Sequence, residues 1–205
     1  MSSKLEGGIQ VRINLGKVFT EPFKIVGKNP IILIPVFIGI ILSLLFDLVG
    51  FIGPIANFVS SIIIGIITVF FFAWTTIFFD QYKKGEEIDL KKSYSQISQL
   101  LLEIIVLSIV VGFLISLGTL AFVIPGLILA LFLIFSPCAL VVDNLSVTDS
   151  MKRSFSFVFK GENFLQIFLV LLVIFLLGII PVVGLYLSVI LEFILIPYIY
   201  VEYSK

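Results

Sequence analysis

Every Lys and Arg of this chain lies outside six long apolar segments, and always in alternate connections between them. The 13 basic residues group before the first segment, between the second and third, between the fourth and fifth, and after the sixth. They are Lys4, Arg12, Lys17, Lys24, Lys28, Lys83, Lys84, Lys91, Lys92, Lys152, Arg153, Lys160 and Lys205. Cytoplasmic loops of membrane proteins retain Lys and Arg, so this bias sets orientation. The pattern predicts six membrane crossings with both termini in the cytoplasm.

Each apolar segment has the length of one transmembrane helix, since about 20 apolar residues cross ~30 Å of hydrocarbon. The predicted spans are residues 30–49, 57–79, 100–121, 124–142, 164–180 and 182–201. Short breaks that contain proline separate the two spans of each pair, because proline cannot continue a helix. These prolines are Pro54, Pro125 and Pro181. We therefore predict an all-α polytopic membrane protein whose six transmembrane helices form three hairpins.

The composition excludes several classes of protein. Hydrophobic residues make up 60% of the chain and charged residues 13%, against about 45–50% and about 25% in soluble domains. The net charge is zero, which argues against nucleic acid as a partner. The chain has no His and one Cys, so we expect no metal, no cofactor and no disulfide. We predict a location in the plasma membrane.

Three stretches on the predicted cytoplasmic side have the residue spacing of amphipathic helices. In the third of them, Val147, Met151, Phe155 and Val158 are predicted to share one apolar face after a cap at Ser146. Helices of this kind lie in the membrane interface with basic residues toward anionic headgroups. The candidate headgroup contacts are Lys17, Lys24, Lys28, Lys152, Arg153 and Lys160. The alternative interpretation is that these helices only hold the hairpins at the right depth.

The three predicted hairpins follow one plan within a single domain that covers residues 1–205. Each has an amphipathic stretch, a span, a turn with proline, a second span and then an acid: Asp80, Asp143 or Glu202. The acids recur at nearly equal intervals, which indicates possible repeat units at 14–80, 88–143 and 146–203. Simple regularity of hairpins is the alternative explanation.

Glu192 is the strongest candidate for a functional residue within a span. It lies near the middle of the sixth predicted span, and Ser188 precedes it by one turn on the same helical face. A carboxylate that faced lipid at this depth would cost about 2.5–3.5 kcal/mol. The residue is either part of a proton- or cation-linked site or a neutral, hydrogen-bonded group that locks the bundle.

Two prolines within predicted spans are further candidates. Pro197 follows Glu192 and is predicted to kink or unwind the sixth span. Pro137, next to Ser136, is predicted to do the same in the fourth. Backbone carbonyls freed by such prolines coordinate cations or water in some membrane proteins. More often they are features of packing.

One stretch of sequence carries a resemblance to a known group. It runs from Ile124-Pro125-Gly126 to Val141-Val142-Asp143, followed by Val147-Thr148-Asp149-Ser150-Met151-Lys152-Arg153-Ser154. It resembles a prokaryotic family of six-span membrane proteins of unknown function, related to the membrane domain of some glycerophosphodiester phosphodiesterases. The resemblance implies a stand-alone membrane domain without an assigned activity and without phosphodiesterase chemistry.

Three classes of function follow from these observations. The first is a non-enzymatic membrane domain that binds lipid or partner proteins, with a homo-oligomer as one possibility. The second is a small permease or channel centred on Glu192. The third, an intramembrane enzyme, is disfavoured because the sequence has no His, no Gly-x-Ser-Gly and no Gly-x-Gly-Asp. The expectation is therefore that this chain is not an enzyme.

Overall fold

The computed structural model describes residues 12–204, and every regular element within that range is a helix. Lys4 and Lys205 lie outside the described residues. The helices are α1 (Leu15–Val18), α2 (Glu21–Lys28), a 3₁₀ turn (Pro30–Ile32), α3 (Leu33–Gly50), α4 (Pro54–Lys83), α5 (Leu90–Gln99), α6 (Leu101–Ala121), α7 (Val123–Leu133), α8 (Ser136–Val142), α9 (Val147–Phe159), α10 (Asn163–Gly178) and α11 (Val183–Tyr203).

Five helical segments of the described range are long and apolar enough to cross a membrane. They are Pro30–Gly50, Pro54–Lys83, Leu101–Ala121, Val123–Val142 and Val183–Tyr203. A sixth candidate consists of α9 and α10 together, which are bent by 98° at the break between them. The prediction of an all-helical, multi-pass membrane protein is confirmed.

The fifth predicted span, residues 164–180, corresponds to α10, which has 16 residues. At 1.5 Å per residue this helix is ~24 Å long, shorter than the ~30 Å hydrocarbon core. Its first turn buries Asn163 and Gln166 inside the protein. Ile167, Val170 and Ile174 continue this buried face, so only the opposite side of α10 is free to contact lipid.

The core is concentrated at one end of the helical bundle. Residues 71–81 of α4, residues 135–141 in and before α8, and residues 193–201 of α11 are all buried. These three helices contact one another. Large apolar side chains at the opposite end are exposed, with Phe51 86% and Leu120 82% accessible. Such exposure is stable in lipid, because acyl chains are as apolar as these side chains.

The two prolines predicted to distort spans behave differently. The fourth span is broken, since α7 ends at Leu133 and α8 begins at Ser136, with Pro137 in its first turn. The ring of Pro137 would clash with the carbonyl of Leu133 in a continuous helix. In contrast, α11 runs through Pro197 without interruption. The predicted unwinding at Pro197 does not occur, and the close packing around residues 193–201 stabilises the helix there. The alternative, a kink at Pro197, stays a prediction.

Candidate functional site at the basic face

The short helices of the chain gather at the well-packed end of the bundle. Helix α2 packs against α11, α5 against α4, and α9 against α8. We call this end the basic face: it comprises α1, α2, α5, α9 and the C-terminal ends of α4, α8 and α11. All basic residues of the described range lie on these elements or next to their ends. Each contact between a short helix and a long one forms a junction.

The α4–α5 junction is closed by a buried hydrogen bond. The indole nitrogen of Trp74 donates to the hydroxyl of Ser93 at 2.9 Å, and the same hydroxyl donates to the carbonyl of Leu90. Asp89 caps α5 by accepting from the backbone N–H groups of Lys91 and Lys92. The cap satisfies two N–H groups that no helical carbonyl can reach.

The α8–α9 junction is built around the break in the fourth span. The hydroxyl of Ser154 in α9 donates to the carbonyl of Phe132 at 2.6 Å and accepts from the N–H of Phe135 at 3.1 Å. Both backbone groups lost their helical partners at the break. One fully buried serine therefore supplies two hydrogen bonds that the interrupted helix needs.

The cap at the start of α9 matches the predicted one. Ser146 accepts a hydrogen bond from the N–H of Asp149, and its hydroxyl donates to the Asp149 carboxylate. The hydrogen bond from Ser146, assisted by Lys152, lowers the pKa of the Asp149 carboxyl. A carboxylate that stays ionised in the first turn also favours the helix dipole.

The buried face of α9 differs from the predicted apolar face. Phe155 is 48% exposed, whereas Ser150, Ser154 and Phe157 are buried together with Val158. The helix is therefore rotated so that small serines approach the broken span closely. The hydrogen bonds that Ser154 makes to the broken helix stabilise this orientation more than burial of the Phe155 side chain would stabilise the predicted one. Phe155 instead packs against Phe132 at the surface.

A charged network ties three helices together beside this junction. The guanidinium of Arg153 contacts the carboxylate of Asp143 at 3.2 Å and donates to the carbonyl of Ser204 at 2.7 Å. The hydroxyl of Tyr200 donates to the same Asp143 oxygen at 2.6 Å. Arg153, a candidate for headgroup contact, is thus occupied by internal partners. Sequence reasoning did not identify Tyr200 or Ser154, since nothing local indicates their distant partners.

The α2–α11 junction contains a cleft of about 440 Å³ that also reaches the end of α4. On one side, the ammonium of Lys83 donates to the carbonyls of Val201 and Glu202 at 2.7 and 2.8 Å and contacts the Glu202 carboxylate at 3.2 Å. A cation in this position satisfies carbonyls that the end of α11 leaves without helical partners. The cleft is lined by charged and aromatic side chains rather than closed by them.

The other lysines predicted to contact headgroups are exposed at the basic face. They are Lys17, Lys24, Lys28, Lys152 and Lys160. Lys24 pairs with Glu21 and Lys152 with Asp149, both three residues away on the same helix. Exposed pairs of this kind are worth at most about 1 kcal/mol, so they leave the ammonium groups available to stronger partners.

The residues of the predicted intramembrane site lie on α8 and α11. Glu192 is half-buried, and it makes no hydrogen bond or ion pair with a described residue. Ser188 is buried and donates to the carbonyl of Leu185. Ser136 is buried, and its hydroxyl has no hydrogen-bond partner among the described residues. Ser136 and Pro137 come directly after Phe135, and the ring of Phe135 stacks on the ring of Tyr200. Tyr200 lies ~12 Å farther along α11 than Glu192, and a single site formed by these residues stays a prediction.

The role of the individual residues in this intramembrane set stays a prediction. Pro197 is buried in the core and its neighbours are apolar. Residues 133–141 and 193–201 pack tightly around the level of Ser136. Two observations favour a proton- or cation-linked function for Glu192: its position in the span and its lack of a partner among the described residues. The residues around it add no further support.

Comparison with known proteins gives one weak relationship. No family model matches the chain, and no solved structure matches it. The chain is 38% identical over 64 residues to a UPF0259 membrane protein of Wigglesworthia glossinidia brevipalpis. The match covers 31% of this chain and only 25% of that relative. It supports an integral membrane protein and provides no link to glycerophosphodiester phosphodiesterases, so that resemblance stays a prediction.

Proposed function

We propose that this protein is a non-enzymatic membrane domain that binds anionic lipid headgroups at its basic face. In this proposal three hairpins cross the plasma membrane, the short helices lie in its cytoplasmic interface, and both termini are cytoplasmic. The observation that carries the proposal is the set of exposed lysines on helices whose other side packs against the core. The packed side of each helix fixes the position of its backbone and leaves the lysine side chains free to reach a ligand.

Electrostatics favour anionic lipid at such a surface. A Lys or Arg near an anionic leaflet contributes about 1 kcal/mol of attraction, and the effect decays within a Debye length of ~8 Å at physiological salt. Lys17, Lys28 and Lys160 make no ion pair with a described residue. These three have the most to gain from phosphate partners.

Replacing Lys28 and Lys160 together with glutamine tests the proposal. We expect the preference of the protein for phosphatidylglycerol over phosphatidylcholine to fall, by up to about fivefold for each charge removed. Electron spin resonance of spin-labelled lipids at the protein boundary measures this preference. The double Lys→Arg variant is the control and should keep it, and high salt should reduce it in the wild type. An unchanged preference in the glutamine variant would contradict the proposal.

A further inference from the structure

The cleft at the α2–α11 junction has the features of a binding site. The other two junctions are closed by internal hydrogen bonds, through Trp74 and Ser93 in one and through Ser154 in the other. At the third, polar groups surround about 440 Å³ of open space. They belong to Lys17, Glu21, Tyr82, Lys83, Tyr198 and Glu202.

Several of these groups have hydrogen-bonding capacity to spare. Tyr198 as a residue is only 7% exposed, and its hydroxyl reaches solvent and makes no hydrogen bond to a described residue. Lys17 has no ion-pair partner among the described residues. Glu202 contacts Lys83 through one carboxylate oxygen and remains 42% exposed. Each of these groups can exchange a bound water for a polar atom of a ligand.

The charges that line the cleft are balanced. Lys17 and Lys83 oppose Glu21 and Glu202, so the lining has no net charge. The hydrogen bond from Lys24 lowers the pKa of the Glu21 carboxyl, which keeps that group anionic. A simple anion gains little in such surroundings, because each carboxylate repels it. A ligand that carries a positive and a negative group side by side satisfies both halves of the lining.

The remaining surface of the cleft is apolar. Ile25, Phe79 and Val201 contribute to it, and the ring of Phe79 lies 6.2 Å from that of Tyr198. The cleft opens at the basic face, at the level where the described spans begin and end. The glycerol backbone of a phospholipid would occupy this boundary between polar and apolar surroundings.

We propose that this cleft binds the headgroup of a zwitterionic aminophospholipid, a phosphodiester next to a primary ammonium. Phosphate oxygens accept from Lys17 and from the tyrosine hydroxyls, and the ammonium donates to Glu202 and Glu21. Carboxylates select a primary ammonium because it has N–H donors, which a trimethylammonium lacks. The inference rests on the proposed function, since both require the basic face to lie at the headgroup level of a bilayer.

Native mass spectrometry of the full chain in detergent tests this inference, with phosphatidylethanolamine, phosphatidylcholine and phosphatidylglycerol as probes. We expect a one-to-one adduct with phosphatidylethanolamine that is tighter than the adduct with phosphatidylcholine. Glu202→Gln should weaken it about tenfold, the loss of one charge-assisted hydrogen bond. Tyr198→Phe should weaken phosphatidylethanolamine and phosphatidylcholine alike, since it removes a donor to the shared phosphate.

Glu87→Gln is the matched control, an exposed acid of the same face outside the cleft, and should leave the adduct unchanged. Equal affinity for the ethanolamine and choline lipids, or no effect of Glu202→Gln, would overturn the inference. Soluble glycerophosphoethanolamine is a further probe. If it displaced phosphatidylethanolamine fully at a concentration similar to that of the lipid, the site would bind a soluble phosphodiester, and the inference would also be overturned. If only the proposed function fails, the preference for phosphatidylglycerol disappears while the phosphatidylethanolamine adduct remains.

Discussion

Replacing Gly126 with valine should destabilise the protein by about 3 kcal/mol, at the upper end of what overpacking costs. Gly126 is buried in α7 against α6. A Cβ atom at this position would lie 2.8 Å from the backbone nitrogen of Thr119 and 3.0 Å from its Cα. Backbone atoms cannot turn away as a side chain does. The two helices are joined through Phe122 alone, so relieving the clash requires one whole helix to move against the other.

Gly112→Val in α6 is the matched control for this variant. Gly112 is exposed, and a Cβ there meets nothing within 4 Å. Both variants replace glycine with valine inside a helix, so they carry the same change in helix propensity. The difference between their stabilities therefore measures the effect of the close approach between α6 and α7. Unfolding in mixed micelles of a mild and a denaturing detergent measures the stability of both variants. Equal stability of the two variants would show that α6 and α7 do not pack as closely as the structure places them.

Replacing Ser154 with alanine should destabilise the protein by about 2–4 kcal/mol, because it leaves two buried backbone groups without partners. The carbonyl of Phe132 and the N–H of Phe135 both bond to this hydroxyl. Water does not reach the site readily, since Phe135 and Ser154 are 0% exposed. The loss should be concentrated at the break, and hydrogen exchange should rise at the amide of Phe135.

Ser156→Ala controls for the loss of a serine from the same helix. Ser156 is exposed on α9 and faces away from the break. Its replacement should change stability by less than about 0.5 kcal/mol. If Ser154→Ala behaved like Ser156→Ala, the serine bridge would not be what stabilises the broken fourth span.

The sequence predicts much of the fold because the relevant signals are local. Proline and glycine mark the turns, apolar length defines the spans, and Ser146 with Asp149 defines the start of α9. Pro137 predicts a distortion of the fourth span because its ring excludes a specific carbonyl. These inferences need only the residues within one or two turns of each other.

Local sequence signals of this kind do not predict long-range contacts. Tyr200 and Asp143 are 57 residues apart, and Arg153 meets Ser204 across 51 residues. Nothing near Arg153 distinguishes it from Lys152, although the first is held internally and the second is exposed. The cleft is also formed by three segments that are distant from one another in the sequence. The candidate site at the basic face therefore emerges only when the helices are assembled.

The repeat units at 14–80, 88–143 and 146–203 stay a prediction. Each unit would contribute its second long helix to the core and its short helix to the surface. Helix α5 packs on α4 of the unit before it, α9 on α8 of the unit before it, and α2 on α11. A cyclic order of this kind is what three copies of one hairpin unit would produce. The duplication itself stays a proposal.

The sidedness of the chain is the claim on which the proposed function depends, and single-cysteine labelling tests it most directly. In a Cys138→Ser background, cysteines would replace Ser95 and Ser156 on the basic face, and Phe51, Phe122 and Val182 at the opposite turns. A membrane-impermeant maleimide would then be added to intact cells and to inverted vesicles. We predict labelling of the first two only in inverted vesicles and of the other three only in intact cells. A basic-face cysteine labelled from outside intact cells would contradict the account.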